Sequence, residues 1–265
     1  MPTVSPDHHK QPTTGGDLGS TLQRQFEALG SSVDRLAVLV GSLTPQQLRQ
    51  QAYPSEWTVA DVLSHLGSGA TITRQRLDGD VDAPSIWDEW NAKDPEAQAA
   101  EALAADAALG RRLAAITSEE AAGLRFALGP ADVDLAVFIG LRLNEHAVHT
   151  WDIAVTFDDS ATIPPAEAEA IVETLPMITG WAGKPTGTEL TLSVRTTEPT
   201  CSFEIALRTD GVALSPRPAT ESPDLELTGD ALIRLVYGRL DPAHSPTIEG
   251  RASELEELRR AFPGM

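Results

Sequence analysis

Cysteine is nearly missing from this chain: Cys201 is the only one in 265 residues. That excludes an internal disulfide and any metal site built from several thiolates. Cys201 borders an expected strand and reads as a structural thiol rather than a nucleophile. Basic residues are scarce as well, 20 against 39 acidic, for a formal charge of −19. Phosphate recognition needs a clustered positive field, so nucleic acid and anionic membrane surfaces are not expected as partners. No apolar run approaches the roughly 20 residues that span a bilayer. The segment Met1 to Lys10 lacks the basic start and apolar core of a secretory signal. A soluble, cytoplasmic protein is expected.

What is present is a globular mix, 41% hydrophobic and 22% charged, which argues against bulk disorder. Residues 1–16 are polar with Pro and Gly and read as a disordered tail; His8 and His9 within it are poor ligand candidates. From Thr21 to about Leu43, apolar residues (Leu22, Phe26, Leu29, Val33, Leu36, Val40, Leu43) recur at three- and four-residue steps, as on an amphipathic helix. Thr44-Pro45 and Thr58-Val59-Ala60-Asp61 carry helix-start signals. The second start opens a helix to about Leu77 that bears His65, and Trp57 before it could serve as a hydrophobic staple. A loop from Gly79 to Pro95 carries Trp87 and Trp90, and an Ala-rich helix follows to about Ile116. An irregular stretch from Ser118 to Pro130 then leads to a helix from about Asp134 to Phe157. Another helix is expected over Ala166–Trp181. Beyond it Glu189–Arg195, Ser202–Leu207 and Asp224–Thr228 alternate with period two, as half-buried strands do, and Gly211 turns the chain into a short strand near Val212–Leu214. Helices over Gly229–Tyr237 and Ser253–Phe262 close the chain, with a short strand over 247–250 between them. Helices first and strands later give a fold class of all-α followed by α+β, a four-helix bundle over 17–160 and a smaller domain over 161–265.

The stretch with most chemistry is Leu141-Arg142-Leu143-Asn144-Glu145-His146-Ala147-Val148-His149-Thr150-Trp151-Asp152. At 3.6 residues per turn Phe138, Arg142, Glu145, His149 and Asp152 share one stripe, beside an apolar stripe that includes Val148 and Trp151. Glu145 and His149, four apart, form a two-point clamp that suits zinc, nickel or iron better than calcium or magnesium. His146, three residues from His149, is the competing neighbour but lies off the stripe. His65 is a third candidate on another helix. Arg142 is placed to pair with Glu145 or with another carboxylate on its face.

Glu56-Trp57-Thr58-Val59-Ala60-Asp61-Val62-Leu63-Ser64-His65-Leu66, with Glu145, His149, Trp151 and Asp152, resembles the mycothiol-dependent maleylpyruvate isomerase group of the DinB-like superfamily. Leu225 to Asp230, Gly238-Arg239 and Ile248-Glu249-Gly250 are similar to the sterol-carrier-like domain attached in that group. The resemblance implies a DinB-like bundle and a divalent metal, zinc in most members, held by His65, Glu145 and His149 with water in the open position. It also implies mycothiol as cosubstrate, an activated thiol that adds to a small electrophile, and either isomerisation or S-transfer. An arginine is expected to meet a substrate carboxylate; Arg239 and Arg76, with Arg74 beside it, are the candidates. Asp152 could orient His149 from behind. A hydrolase that activates water, and a non-catalytic binding protein, are the alternatives.

Overall fold

The computed structural model describes residues 17–53, 56–129, 131–246 and 248–264. The expected tail over 1–16 and Thr247 of the short strand lie outside them. Among these residues the helical half opens with α1 (Asp17–Gly41), then the single turn α2 (Pro45–Leu48) behind a Thr44–Gln47 capping box. In α3 (Val59–Arg76), Thr58 accepts from Asp61 N while the Asp61 carboxylate accepts from Thr58 N, so the start read from sequence is the start observed.

The stretch expected as a loop over 79–95 contains α4 (Ala83–Asn91), capped by Asp82 and carrying Pro84 in its first turn. Its Trp90 is buried against α3, where a Cβ on Gly67 would lie 2.3 Å from the ring. After α5 (Pro95–Ala114), capped by Asp94, the expected irregular stretch is α6 (Ser118–Gly123) and a hairpin of β1 (Arg125–Leu128) and β2 (Ala131–Asp134). Asp134 then caps α7 (Leu135–Val155), which is buried along most of its length. α1 packs on α5 and α7, and α3 on the same two, which makes the four-helix bundle.

The single helix expected over 166–181 is two, α8 (Pro165–Ile171) and α9 (Leu175–Ala182). Pro176 has no N–H and cannot sit inside a continuous helix, so the chain breaks before it. The rest forms β3 (Leu190–Thr197), β4 (Cys201–Arg208), β5 (Gly211–Pro216), β6 (Leu225–Thr228), α10 (Gly229–Val236), β7 (Glu249–Gly250) and α11 (Ala252–Ala261). The sheet order is β5-β4-β3-β6-β7, parallel only between β3 and β6. Cys201 begins β4, half-buried; burial raises its thiol pKa, as suits a structural thiol.

One apolar core runs from Leu29 and Ile139 through Trp151 and Ile171 to Leu192 and Leu232. α8 touches α1, α7 and α10, so packing is continuous across residue 160. The boundary there stays a proposal about chain composition. Trp151, fully buried with Nε1 donating to the Ala161 carbonyl at 2.8 Å, pins the junction; truncating such a residue to Ala costs about 3–5 kcal/mol. No helix among the described residues is long and apolar enough to cross a membrane.

Candidate metal centre

α3 and α7 lie side by side, and that contact brings three donors together. His65 Nε2 is 3.2 Å from Glu145 Oε2, and His149 Nε2 is 3.6 Å from the same oxygen. One donor atom from each residue lies within 4.8 Å of the other two. Metal–ligand bonds of about 2.0–2.1 Å in a tetrahedron put donors about 3.3 Å apart, close to the 3.2 and 3.6 Å that separate Glu145 Oε2 from the two ring nitrogens. The side chains of His65 and Glu145 are 34% and 39% exposed, which leaves one side open to a small molecule.

Behind His149 the arrangement is fixed. Its Nδ1 is 2.8 Å from Asp152 Oδ2, and since a carboxylate only accepts, Nδ1 carries a hydrogen there, which leaves Nε2, the nitrogen facing Glu145, as the atom that would ligate a metal. Asp152 is gripped by Arg239, whose Nε and Nη2 donate at 3.2 and 3.1 Å while Nη1 donates to the Tyr237 carbonyl. The Trp57 ring centroid lies 5.3 Å from that of His65 and 5.9 Å from that of His149, so this residue walls the site besides packing at the start of α3.

The electrostatics follow from this crowding. Burial works to raise the Glu145 pKa, but hydrogen bonds from His149 and His65 overcome it and hold the carboxyl well below its usual range. Burial opposes a charge on His149, yet Asp152 and Glu145 together push its pKa up to about 9. His65 is lowered, because burial outweighs its one bond to Glu145.

The structure places the expected arginines as follows. Arg239 spends its fork on Asp152 and is 7% exposed, so it positions the carboxylate behind His149. Arg76 ends α3, roughly 16 Å along the axis from His65 at 1.5 Å per residue, out of reach of the centre. Arg74 lies in the same last turn. Arg142 does not pair with Glu145; it reaches across to the Leu66 carbonyl and Asp106 of α5. His146 points away, fully buried between Ser32 and Asp106. Sequence reasoning missed Asp106 and Ser32, whose only available signal was a polar residue on an otherwise apolar helix face. Asp241, which accepts from Tyr53 Oη at 2.6 Å and binds His244 Nδ1 at 2.9 Å, was missed too.

A family model described as Mycothiol maleylpyruvate isomerase N-terminal domain matches residues 29–154, the stretch from mid-α1 to α7. Two uncharacterized proteins from two strains of Mycobacterium tuberculosis are each 28% identical over 132 residues. The match takes in 50% of this chain and spans 66% of each relative's length. Crystal structures of the mycothiol-dependent maleylpyruvate isomerase and of a mutant of it superpose with a TM-score of 0.61 at 12% identity. Those superpositions cover 86% of this chain and 92% of the other, so the fold is shared well beyond the bundle. Over residues 29–154, just under half of its length, this chain is similar to the mycothiol maleylpyruvate isomerase N-terminal domain family.

Proposed function

We propose that this chain is a metal-dependent enzyme with mycothiol as cosubstrate, an isomerase or S-transferase acting on a small electrophilic carboxylate. His65, Glu145 and His149 are its metal ligands. The observation that carries the reading is the convergence of their donor atoms within 4.8 Å on an open face. Two imidazoles and one carboxylate suit zinc. When bound, such a cation supplies positive charge that lowers the pKa of a coordinated thiol and makes it a nucleophile at neutral pH.

The chain's own residues prepare the site. Asp152 holds the His149 tautomer, and Arg239 holds Asp152 and offsets its charge across the junction with the C-terminal, sterol-carrier-like part. The Trp57 ring lies beside both imidazoles and sheds water from that wall. Glu145 stays ionised at any physiological pH, so it never leaves the centre as a neutral acid.

A hydrolase activating water would use the same donors; the family match favours the thiol. The test is turnover of maleylpyruvate by zinc-loaded protein with and without mycothiol. Product formed only when the thiol is present supports the reading. Equal turnover without any thiol sinks it in favour of hydrolysis.

A further inference from the structure

A buried guanidinium must place five N–H groups, and this protein shows how its buried arginines do so. Arg234 closes an Nε/Nη2 fork on Asp230, and Arg239 closes one on Asp152. Arg142, whose side chain is only 5% exposed, departs from that pattern. It donates through Nη2 alone, to the Leu66 carbonyl at 2.8 Å and Asp106 Oδ1 at 3.1 Å. Its Nε is buried without a partner, and Nη1 has no hydrogen bond among the described residues. Asp106 cannot close the fork, because its other oxygen faces His146 Nε2 at 3.1 Å. An arginine kept only for stability would not leave these donors unspent in a buried place.

Its position gives the donors a use. Arg142 stands one turn before Glu145 on α7, and the carbonyl it grips belongs to the residue after His65 on α3. Gly69, one turn beyond His65, is partly exposed, and a Cβ there would lie 2.6 Å from Arg142 Nη1. A bare glycine in α3 is therefore what gives Nη1 its room beside that helix. His65, Gly69 and Glu145 are each partly exposed, and Nη1 lies beside Gly69, one turn along α3 from His65.

We propose that Arg142 is a substrate-binding residue: Nη1 takes a carboxylate oxygen of a small acid whose reacting carbon faces the metal centre about one helical turn, ~5.4 Å, away. This rests on the reading of the metal centre above. The full-length, zinc-loaded protein is titrated with maleate by calorimetry, with zinc content measured on the same samples. Arg142→Gln should weaken maleate binding at least about tenfold, the worth of one charge-assisted hydrogen bond. Because that change strands Asp106, Gly69→Ala is made beside it. It keeps every charge, displaces Nη1, and should weaken maleate at least about threefold with unchanged zinc content and melting temperature. Maleate binding within twofold of wild type in Gly69→Ala and in folded Arg142→Gln, with zinc retained, overturns this assignment alone. No maleate binding by zinc-loaded wild type also overturns it. A wild type that takes up no zinc overturns the metal reading and this one with it.

Discussion

Glu145 and His146 are consecutive, and each joins a histidine–carboxylate cluster that ties α7 to another helix, yet the two clusters have opposite characters. Around Glu145 the donors converge on one point, with His65 and Glu145 more than a third exposed. Around His146 the partners are spread, Ser32 on one ring nitrogen at 2.9 Å and Asp106 on the other at 3.1 Å, and none of the three is more than 2% exposed. In the first cluster two ring nitrogens turn to one partly exposed carboxylate oxygen, an arrangement that a cation could take up. In the second every ring atom is already spent, so the cluster clamps α1, α5 and α7 together. Residue type does not separate a site from a core clamp; convergence and exposure do.

That contrast can be broken by substitution. The largest effect is expected from His149→Ala, which should lower zinc affinity more than about 100-fold, beyond the range for groups that only orient a ligand. Elemental analysis beside wild type checks it, and full zinc retention would dissolve the distinction between the clusters. His146→Ala should do the reverse. It leaves zinc content unchanged but strands Asp106 and Ser32, costing about 2–4 kcal/mol of stability in a denaturant melt. If it removes zinc more readily than Glu145→Ala, the wrong neighbour has been assigned to the metal.

Asp152→Asn tests the link between them and the C-terminal part. The amide can still accept from His149 Nδ1 but no longer balances Arg239, so zinc affinity should fall about 10- to 100-fold in a competition titration. An unchanged affinity would make the Asp152–Arg239 pair purely architectural.

The smallest effect belongs to Asp241, a partly exposed counterpart of these pairs at the same junction. Burial works to raise its pKa, but bonds from Tyr53 and His244 bring it down to about 2. A carboxylate whose folded pKa lies below its unfolded value of about 3.9 contributes stability above that value and loses it as pH falls toward 2. Its side chain is 37% exposed, so solvent screening holds the contribution to about 1 kcal/mol. Asp241→Asn should therefore lower the melting temperature at pH 7, with the gap to wild type closing as pH drops from about 4 to 2. A gap that stays constant down to pH 2 would show that the carboxylate's charge contributes nothing.

Much of the fold was legible where the signal was long. The period of α1, the capping box before α3 and the stripe on α7 are properties of consecutive residues, and all three elements lie where those residues put them. The misses were short or broken by a single residue. In α4 the Asp82 cap and Pro84 were available as a start signal, but nine residues with two tryptophans do not show a helical period. The β1–β2 hairpin buries only Phe126 and Val133, too few to reveal alternation. Pro176 marked the break between α8 and α9 and was passed over.

By itself the sequence determined the helical bundle, the change to strands, and the i, i+4 placement of Glu145 and His149, because backbone geometry makes these local. Tertiary structure decided what each histidine meets, since that depends on what α1, α3 and α5 bring against α7. It also decided the arginines. Arg239 turned to Asp152, Arg76 fell beyond reach, and Arg142 came beneath His65 and Glu145 because Gly69, on another helix, left room for it. A guanidinium at the end of a long, flexible side chain goes where a carboxylate and a space await it, and neither is written beside it in the chain.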